Sequence, residues 1–177
     1  MMRSELTLQT ERLTLRMLRE DDLDAYAELY GDPEVARFIS PEGRPLSREE
    51  AWRHLAMIIG HWQLRGYGMW AAVERHTNAV IGRIGFFNPE GWPGFELGWA
   101  LIQAYWGRGF ATEGARAALA HAFTTLRQGH VISLIRPDNQ RSIRVAERLG
   151  ERLTGTTQLN GHQVHVYGIS RQAWSAT

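Results

Sequence analysis

A glycine-rich turn followed at once by an amphipathic helix is the stretch of this sequence best suited to bind an anion. The first amides of a helix have no partner within it, and the helix dipole places roughly half a positive charge there. Glycine has no Cβ, so a large anionic group can approach the backbone of such a turn closely. The turn therefore predicts a phosphate or pyrophosphate site. Its residues are Gly107, Arg108, Gly109, Phe110, Ala111 and Thr112.

Two common nucleotide-binding motifs do not fit the spacing of this turn. It is neither GxGxxG followed by a ribose-binding acid nor GxxxxGK[ST]. The helix after the turn is predicted from residues that recur at the spacing of one buried helical face. These residues are Ala115, Ala118, Leu119, Ala122, Phe123 and Leu126.

Composition and charge indicate an ordinary globular protein. The chain has 177 residues, of which 44% are hydrophobic and 22% charged, with a formal net charge of +1. We expect a single domain over residues 1–177, because this length suffices to bury one core. No run of basic residues marks a nucleic-acid surface. No stretch approaches the ~18 apolar residues of a membrane span, and no secretion signal is evident, so we expect a cytoplasmic protein.

The sequence offers little to a metal ion. It contains no cysteine, which excludes disulfides, thiolate zinc sites and a cysteine nucleophile. His162 and His165 are three residues apart in a predicted strand and so lie on opposite faces. We therefore expect no metal cofactor.

The order of predicted elements is β-α-α-β-β-β-α-β-α-β-β, an α+β fold with a mixed sheet and helices on both faces. Alternating or continuous apolar runs mark the strands, whereas periodic apolar faces and capping residues mark the helices. Asn160-Gly161 is typical of a hairpin turn between the last two strands. Strands are predicted at 13–18, 69–74, 80–87, 95–102, 131–135, 152–159 and 163–169, and helices at 21–30, 47–59, 110–126 and 139–149.

Two segments of the chain resemble the GNAT superfamily of N-acetyltransferases. Residues 96–99 (ELGW) and 105–113 (YWGRGFATE) are similar to its acetyl-CoA-binding core, most of all in the branch that acetylates N-terminal amines of ribosomal proteins. Trp106 stands where most members have Gln or Arg, so main-chain amides would do most of the pyrophosphate binding. The second segment begins with Asn139 and Ser142 and ends at Gly150, and it resembles the family's NxxSxxxxxxLG sequence. Together the two segments imply the GNAT fold over nearly the whole chain.

The resemblance also implies where acetyl-CoA lies. Asn139 and Ser142 would face its pantetheine arm and thioester sulfur. The strand that carries Leu101 and Ile102 would splay from the next parallel strand, and the arm would fill the gap by pairing with main chain. An amide near Leu101 would polarise the acetyl carbonyl. The amine would then attack the thioester directly, without an enzyme nucleophile.

The reaction needs a base for the acceptor ammonium and an acid for the leaving thiolate. We expect Glu96 to be the base, because it precedes the acetyl site on the central strand and shares a face with Gly98 and Ala100. A β-bulge would shift that facing, and a surface carboxylate without a chemical role is the alternative. Ser142 and Tyr167 are both candidates for the acid. Ser142 is preferred because its motif match is closer.

The sequence leaves the acceptor open. A protein or peptide N-terminal amine follows from the resemblance, and a small amine such as an aminoglycoside or polyamine is the alternative. A non-catalytic acyl-CoA-binding module is a third possibility. The loops at residues 39–47 and 86–95 are expected to contact the acceptor. Either a monomer or a homodimer is compatible with the sequence.

Overall fold

The computed structural model of the protein describes residues 6–175. Its strands are β1 (Leu8–Gln9), β2 (Leu13–Met17), β3 (Met69–Glu74), β4 (Val80–Phe87), β5 (Glu96–Leu101), β6 (His130–Ile135), β7 (Arg152–Leu159) and β8 (His162–Ser170). Its helices are α1 (Leu23–Gly31), α2 (Pro33–Ile39), α3 (Arg48–Arg65), α4 (Phe110–Thr124), α5 (Gln140–Leu149) and α6 (Arg171–Ser175). The predicted α+β class is confirmed.

All eight strands form one sheet in the order β1-β2-β3-β4-β5-β6-β8-β7. Neighbouring strands are antiparallel except β5 and β6, which are parallel because α4 crosses over between them. The predicted hairpins β3–β4 and β7–β8 are both present. Every residue of β3 is buried, which explains its continuous apolar run.

The two parallel strands diverge soon after they meet. β5 and β6 pair at a single position, Glu96 with Ile132, where the Ile132 amide donates to the Phe95 carbonyl at 3.0 Å. Beyond this pair no ladder joins the strands, so the sheet is split toward the end of β5. The predicted splay is therefore confirmed, and it leaves main-chain groups of both strands facing a gap.

Two main clusters of buried side chains fill the two faces of the sheet. One cluster lies between the sheet and α4, and the other lies between the sheet and α1 and α3. The apolar face of α4 packs as predicted, with Ala115, Ala118, Leu119, Ala122 and Phe123 buried. Among residues 6–175, no helix is long and apolar enough to cross a membrane.

Three short elements were not predicted from the sequence, namely β1, α2 and α6. The most consequential is α2. Asp32-Pro33 starts this further helix, whereas we expected Pro33 only to end the helix predicted at residues 21–30. The Asp32 carboxylate accepts the Glu34 amide at 2.8 Å, and Pro33 occupies the first turn, where its missing N–H costs nothing. This helix brings Val35, Phe38 and Ile39 toward the end of β5.

Candidate active site

The N-terminus of α4 has the geometry that an anion site requires. Gly107 and Gly109 adopt φ of +72° and +82°, in the left-handed region that favours glycine, and Gly109 caps the helix. The first amide bonded within the helix is that of Glu113, which donates to the Gly109 carbonyl at 3.0 Å. The amides of Phe110, Ala111 and Thr112 precede it and are the open donors of the first turn.

An ion pair fixes this turn to the start of the sheet. The Arg12 Nε donates to a Glu113 carboxylate oxygen at 2.6 Å, and Thr10 donates to the other oxygen at 2.6 Å. A second nitrogen of Arg12 donates to the Arg108 carbonyl at 2.9 Å. Because these bonds join the connection between β1 and β2 to both ends of the turn, the open amides are held in place before any ligand binds.

A cavity of about 290 Å³ runs from this helix end to the split in the sheet. It gathers eight of the ten residues predicted to contact the cofactor, while Arg108 and Ile102 do not line it. Ile102 is engaged in the sheet, where its amide donates to the Ile81 carbonyl at 2.9 Å. The eight residues are Leu101, Gly107, Gly109, Phe110, Ala111, Thr112, Asn139 and Ser142.

Three arginines of α5 line the same cavity and were not predicted as site residues. Arg141, Arg144 and Arg148 recur at a helical spacing that places them on one face. Arg141 lies over the ring of Trp106, 4.5 Å from its centroid, and the Trp106 indole donates to the Leu101 carbonyl at 2.8 Å. Because Arg108 of the turn does not line the cavity, α5 supplies the arginines that do.

A second cavity of about 150 Å³ adjoins the first. It contains Glu96, Arg83 and His54 between the sheet and α3. Glu96 and Gly98 face this side of the sheet, as predicted, because β5 pairs with β4 without a bulge. Five residues line both cavities, so the two spaces meet at one place. They are Phe38, Ile39, Trp99, Asn139 and Ser142.

Glu96 has the protonation behaviour of a base that works near neutral pH. Burial raises its pKa to about 7, against the opposing effects of the Trp92 indole, the Arg83 charge and the Leu134 amide. The Trp92 indole donates to Glu96 Oε2 at 2.7 Å and so orients the carboxylate. Half of the carboxyl groups are ionised near pH 7, where a proton acceptor is most effective.

The two candidates for the acid lie in different places. Ser142 lines both cavities, on the first turn of α5, whose N-cap is Asn139; the Asn139 side chain accepts the Ser142 amide at 3.2 Å. Tyr167 lies on β8 and packs in a separate cluster with Ile135 and Ile143. It lines neither cavity. The structure thus brings Ser142, but not Tyr167, to the place where the cavities meet.

A split sheet here joins an open helix N-terminus to a buried carboxylate, an arrangement suited to an enzyme that transfers a group from an anionic donor. Residues 12–152 match the acetyltransferase (GNAT) domain, and the chain belongs to this family of N-acetyltransferases. The chain is 29% identical to the uncharacterized N-acetyltransferase p20 of Bacillus licheniformis over 170 residues, which are 93% of this chain and 94% of the relative.

Solved structures agree with this assignment. An acetyltransferase from Agrobacterium tumefaciens superposes with a TM-score of 0.82 at 32% identity, and the match covers 96% of each chain. RimL, a ribosomal alpha-N-protein acetyltransferase solved in complex with coenzyme A, superposes with a TM-score of 0.79 at 24% identity over 95% of this chain and 99% of its own. At this sequence identity, the similarity to RimL is evidence for a shared fold only.

Proposed function

We propose that the enzyme transfers the acetyl group of acetyl-CoA directly to a primary amine. The observation that carries this proposal is the meeting of the two cavities at Trp99, Asn139 and Ser142. A donor held in the larger cavity presents its thioester at that junction, and an amine in the smaller cavity lies beside Glu96. No covalent acyl-enzyme is required, because donor and acceptor reach each other directly.

The residues of the larger cavity suit acetyl-CoA as the co-substrate. The amides of Phe110, Ala111 and Thr112 donate hydrogen bonds to the pyrophosphate at the positive end of α4. The arginines of α5 add cationic groups for the remaining phosphate. The gap between β5 and β6 offers unpaired main-chain groups to the pantetheine arm, which carries amides of its own. The coenzyme A complex of RimL, a protein of the same fold, supports this assignment.

The reaction proceeds by addition and elimination. Glu96 takes a proton from the acceptor ammonium, and the neutral amine nitrogen bonds to the thioester carbonyl carbon. A main-chain amide near Leu101 stabilises the oxyanion that forms. The C–S bond then breaks, and the nitrogen gives up its second proton, which reaches the thiolate through the Ser142 hydroxyl as that hydroxyl donates one proton and regains another. The amide product carries the acetyl group, and Glu96 returns its proton to water. Each turnover releases one coenzyme A thiol.

A protein N-terminal amine and a small-molecule amine both satisfy this chemistry. The size of the acceptor cavity, about 150 Å³, favours the small amine. We expected the loops at residues 39–47 and 86–95 to contact the acceptor. Both reach this cavity, since Ile39 and Phe87 line it and the Trp92 indole donates to Glu96, which supports the assignment of this cavity as the acceptor site.

An acetyl-CoA turnover assay tests the proposal. Purified enzyme is given acetyl-CoA with amino acids, polyamines, an aminoglycoside and short peptides, and thiol release is recorded. Glu96→Gln keeps the size of the side chain but cannot accept a proton, so its turnover should fall by ~10²- to 10⁴-fold with unchanged acetyl-CoA affinity. Glu28→Gln, an exposed carboxylate on α1 that lines neither cavity, is the matched control and should keep full activity.

Two results would contradict the proposal. Saturable acetyl-CoA binding without turnover on any amine would indicate a non-catalytic acyl-CoA-binding module. A Glu96→Gln rate close to that of the wild type across the pH range would show that the amine enters neutral and that Glu96 is not the base.

A further inference from the structure

Arg83 is a buried cation in the acceptor cavity that lacks an anionic partner. It is the only charged residue of β4, and its side chain is 9% exposed. The Nε donates to the Tyr30 hydroxyl at 2.8 Å, and Nη1 contacts the Met69 sulfur, a weak acceptor, at 3.3 Å. Within residues 6–175, no carboxylate forms an ion pair with it. The charge of Glu96 acts on it only from beyond ion-pair distance, so the cost of burying the guanidinium is partly offset and an anion bound in the cavity would complete the site.

Arg83 and the base face the same small space. A Cβ on Gly98 would lie 3.8 Å from Arg83 Nη1 and 3.9 Å from Glu96 Oε1, so both charged groups flank the point above this glycine. They do not meet as an ion pair, and the Met69 methyl group, 2.9 Å from the same Cβ position, is the nearest atom to the point between them. A ligand with a cationic and an anionic group a few ångströms apart is complementary to this arrangement.

The other groups around the cavity sharpen this selection. His54 is held by the Tyr26 hydroxyl at 2.9 Å, and burial together with the Arg83 charge lowers its pKa to about 4, so it is neutral at physiological pH. Arg136 also lines the cavity but has Asp138 as a partner. The remaining wall combines polar groups of Ser133, Asn139 and Ser142 with an apolar part. The apolar part includes Phe38, Ile39, Ile58, Met69 and Phe87.

We propose that the acceptor is a small primary amine that carries a carboxylate next to its amino group and an apolar body, as free apolar α-amino acids do. Arg83 binds the carboxylate, and Glu96 receives the proton from the ammonium. This inference rests on the proposed function and names its substrate class. Arg83 is then a specificity-determining residue that discriminates against amines lacking the anionic group.

A peptide N-terminus fits these observations less well. In a peptide the carboxylate next to the amine is replaced by a neutral amide, which cannot compensate a buried guanidinium. The cavity volume of about 150 Å³ also leaves little room for a continuing chain. An acidic side chain at the second position of a peptide is the remaining way for a protein to reach Arg83, and the experiment includes it.

The first measurement compares amino acids with their amides. The acceptors are L-leucine, L-methionine and L-phenylalanine, the three corresponding amides, and alanyl peptides with glutamate or glycine second. The amine of an amide is less basic and therefore more often neutral, so a preference for the acid cannot come from intrinsic reactivity. We expect kcat/KM to be at least ~30-fold higher for the acids. This factor corresponds to the lower end of the free energy lost when a buried charge is left without its partner.

Variants assign this preference to Arg83. In Arg83→Gln the ratio of kcat/KM between acid and amide should fall to within about threefold of unity, whereas Arg53→Gln, an exposed arginine on α3, should keep the wild-type ratio. The ratio is used because it cancels any change in the pKa of Glu96. Circular dichroism and thermal melting check the fold of Arg83→Gln, which loses an uncompensated buried charge.

A second measurement needs no turnover. N-acetyl-L-leucine should raise the melting temperature of the wild type, while N-acetyl-L-leucinamide should not, and Arg83→Gln should respond to neither. Equal rates for acids and amides, faster turnover of the glutamate peptide than of free amino acids, or equal melting shifts with both acetylated compounds would each overturn the inference. The first two of these leave the acetyltransferase proposal intact. Acetyl-CoA binding without turnover would refute that proposal, and the melting shifts would still decide the role of Arg83.

Discussion

Glu151 is a buried acid whose effect on stability can be calculated and measured. Its side chain is 2% exposed, and its Oε1 lies 3.0 Å from the hydroxyl oxygen of Ser133, which itself donates to the Leu97 carbonyl at 2.8 Å. The Ser133 hydroxyl shares its one proton between the Leu97 carbonyl and Glu151 Oε1, and Glu151 Oε2 has no hydrogen-bond partner among the described residues. Burial, aided by the charge of Glu96 and opposed by the Ser133 hydroxyl, raises the pKa of Glu151 to about 8.

The sign and size of the effect follow from proton linkage. The unfolded chain loses this proton near the ordinary pKa of 4.5, whereas the folded protein keeps it up to about 8. The folded state therefore binds more protons between these values, and stability falls by up to ~1.4 kcal/mol for each pH unit in that window. Between pH 5.5 and 7.5 the wild type should lose about 2 to 3 kcal/mol that Glu151→Gln does not lose.

Urea unfolding followed by tryptophan fluorescence at several pH values measures this difference. Glutamine keeps the shape and can donate to Ser133, so Glu151→Gln should be relatively more stable as pH rises. Glu147→Gln, an exposed carboxylate on α5, should follow the wild-type curve. Parallel stability curves for wild type and Glu151→Gln would refute the reasoning, because they would mean that Glu151 is ionised in the folded protein.

Three further predictions concern the site itself. Ser142→Ala should lower turnover and leave acetyl-CoA affinity nearly unchanged, as kinetics and calorimetry would show, since its hydroxyl acts on the leaving thiolate; equal turnover would remove it from the mechanism. Trp92→Phe removes a donor that favours ionised Glu96, so the acidic limb of the pH–rate profile, expected near pH 7, should move to higher pH, and an unmoved limb would argue against Glu96 as its source. Gly109→Ala places a Cβ at φ +82° and should cost roughly 1 to 2 kcal/mol in urea unfolding and weaken acetyl-CoA binding, whereas wild-type values of both would show that the turn has no need of glycine.

The sequence predicted those helices and turns whose conformation is set by nearby residues in the chain. The apolar face of α4, the capping box of α3 at Ser47 and Glu50, and the Asn160-Gly161 turn are signals of this kind. The start of α2 at Pro33 was not predicted, because a proline can end one helix and also begin the next.

The cofactor cavity was predictable only as far as motifs reached. The turn and Asn139 lie in recognisable segments, whereas the contribution of Arg141 depends on how α5 packs beside the turn. Arg83 has no ion pair because no carboxylate of the described residues packs within ion-pair distance of it. A local sequence pattern cannot predict this, since it depends on the packing of distant segments. The only feature of the sequence that could have indicated this site is a charged residue within the apolar run of β4.

The place of β8 in the sheet has a consequence for how the protein is made. β8 follows the other seven strands in the described part of the chain, yet it lies between β6 and β7 and supplies the long ladder of each. Until residues 162–170 leave the ribosome, β6 has only its single pairing with β5, and β7 has no neighbour. The nascent chain thus carries two strands with open edges, of which β6 is apolar, and such edges are templates for aggregation. Completing the sheet waits for contacts distant in sequence, so we expect folding to be slow and productive only after the last strand is synthesised.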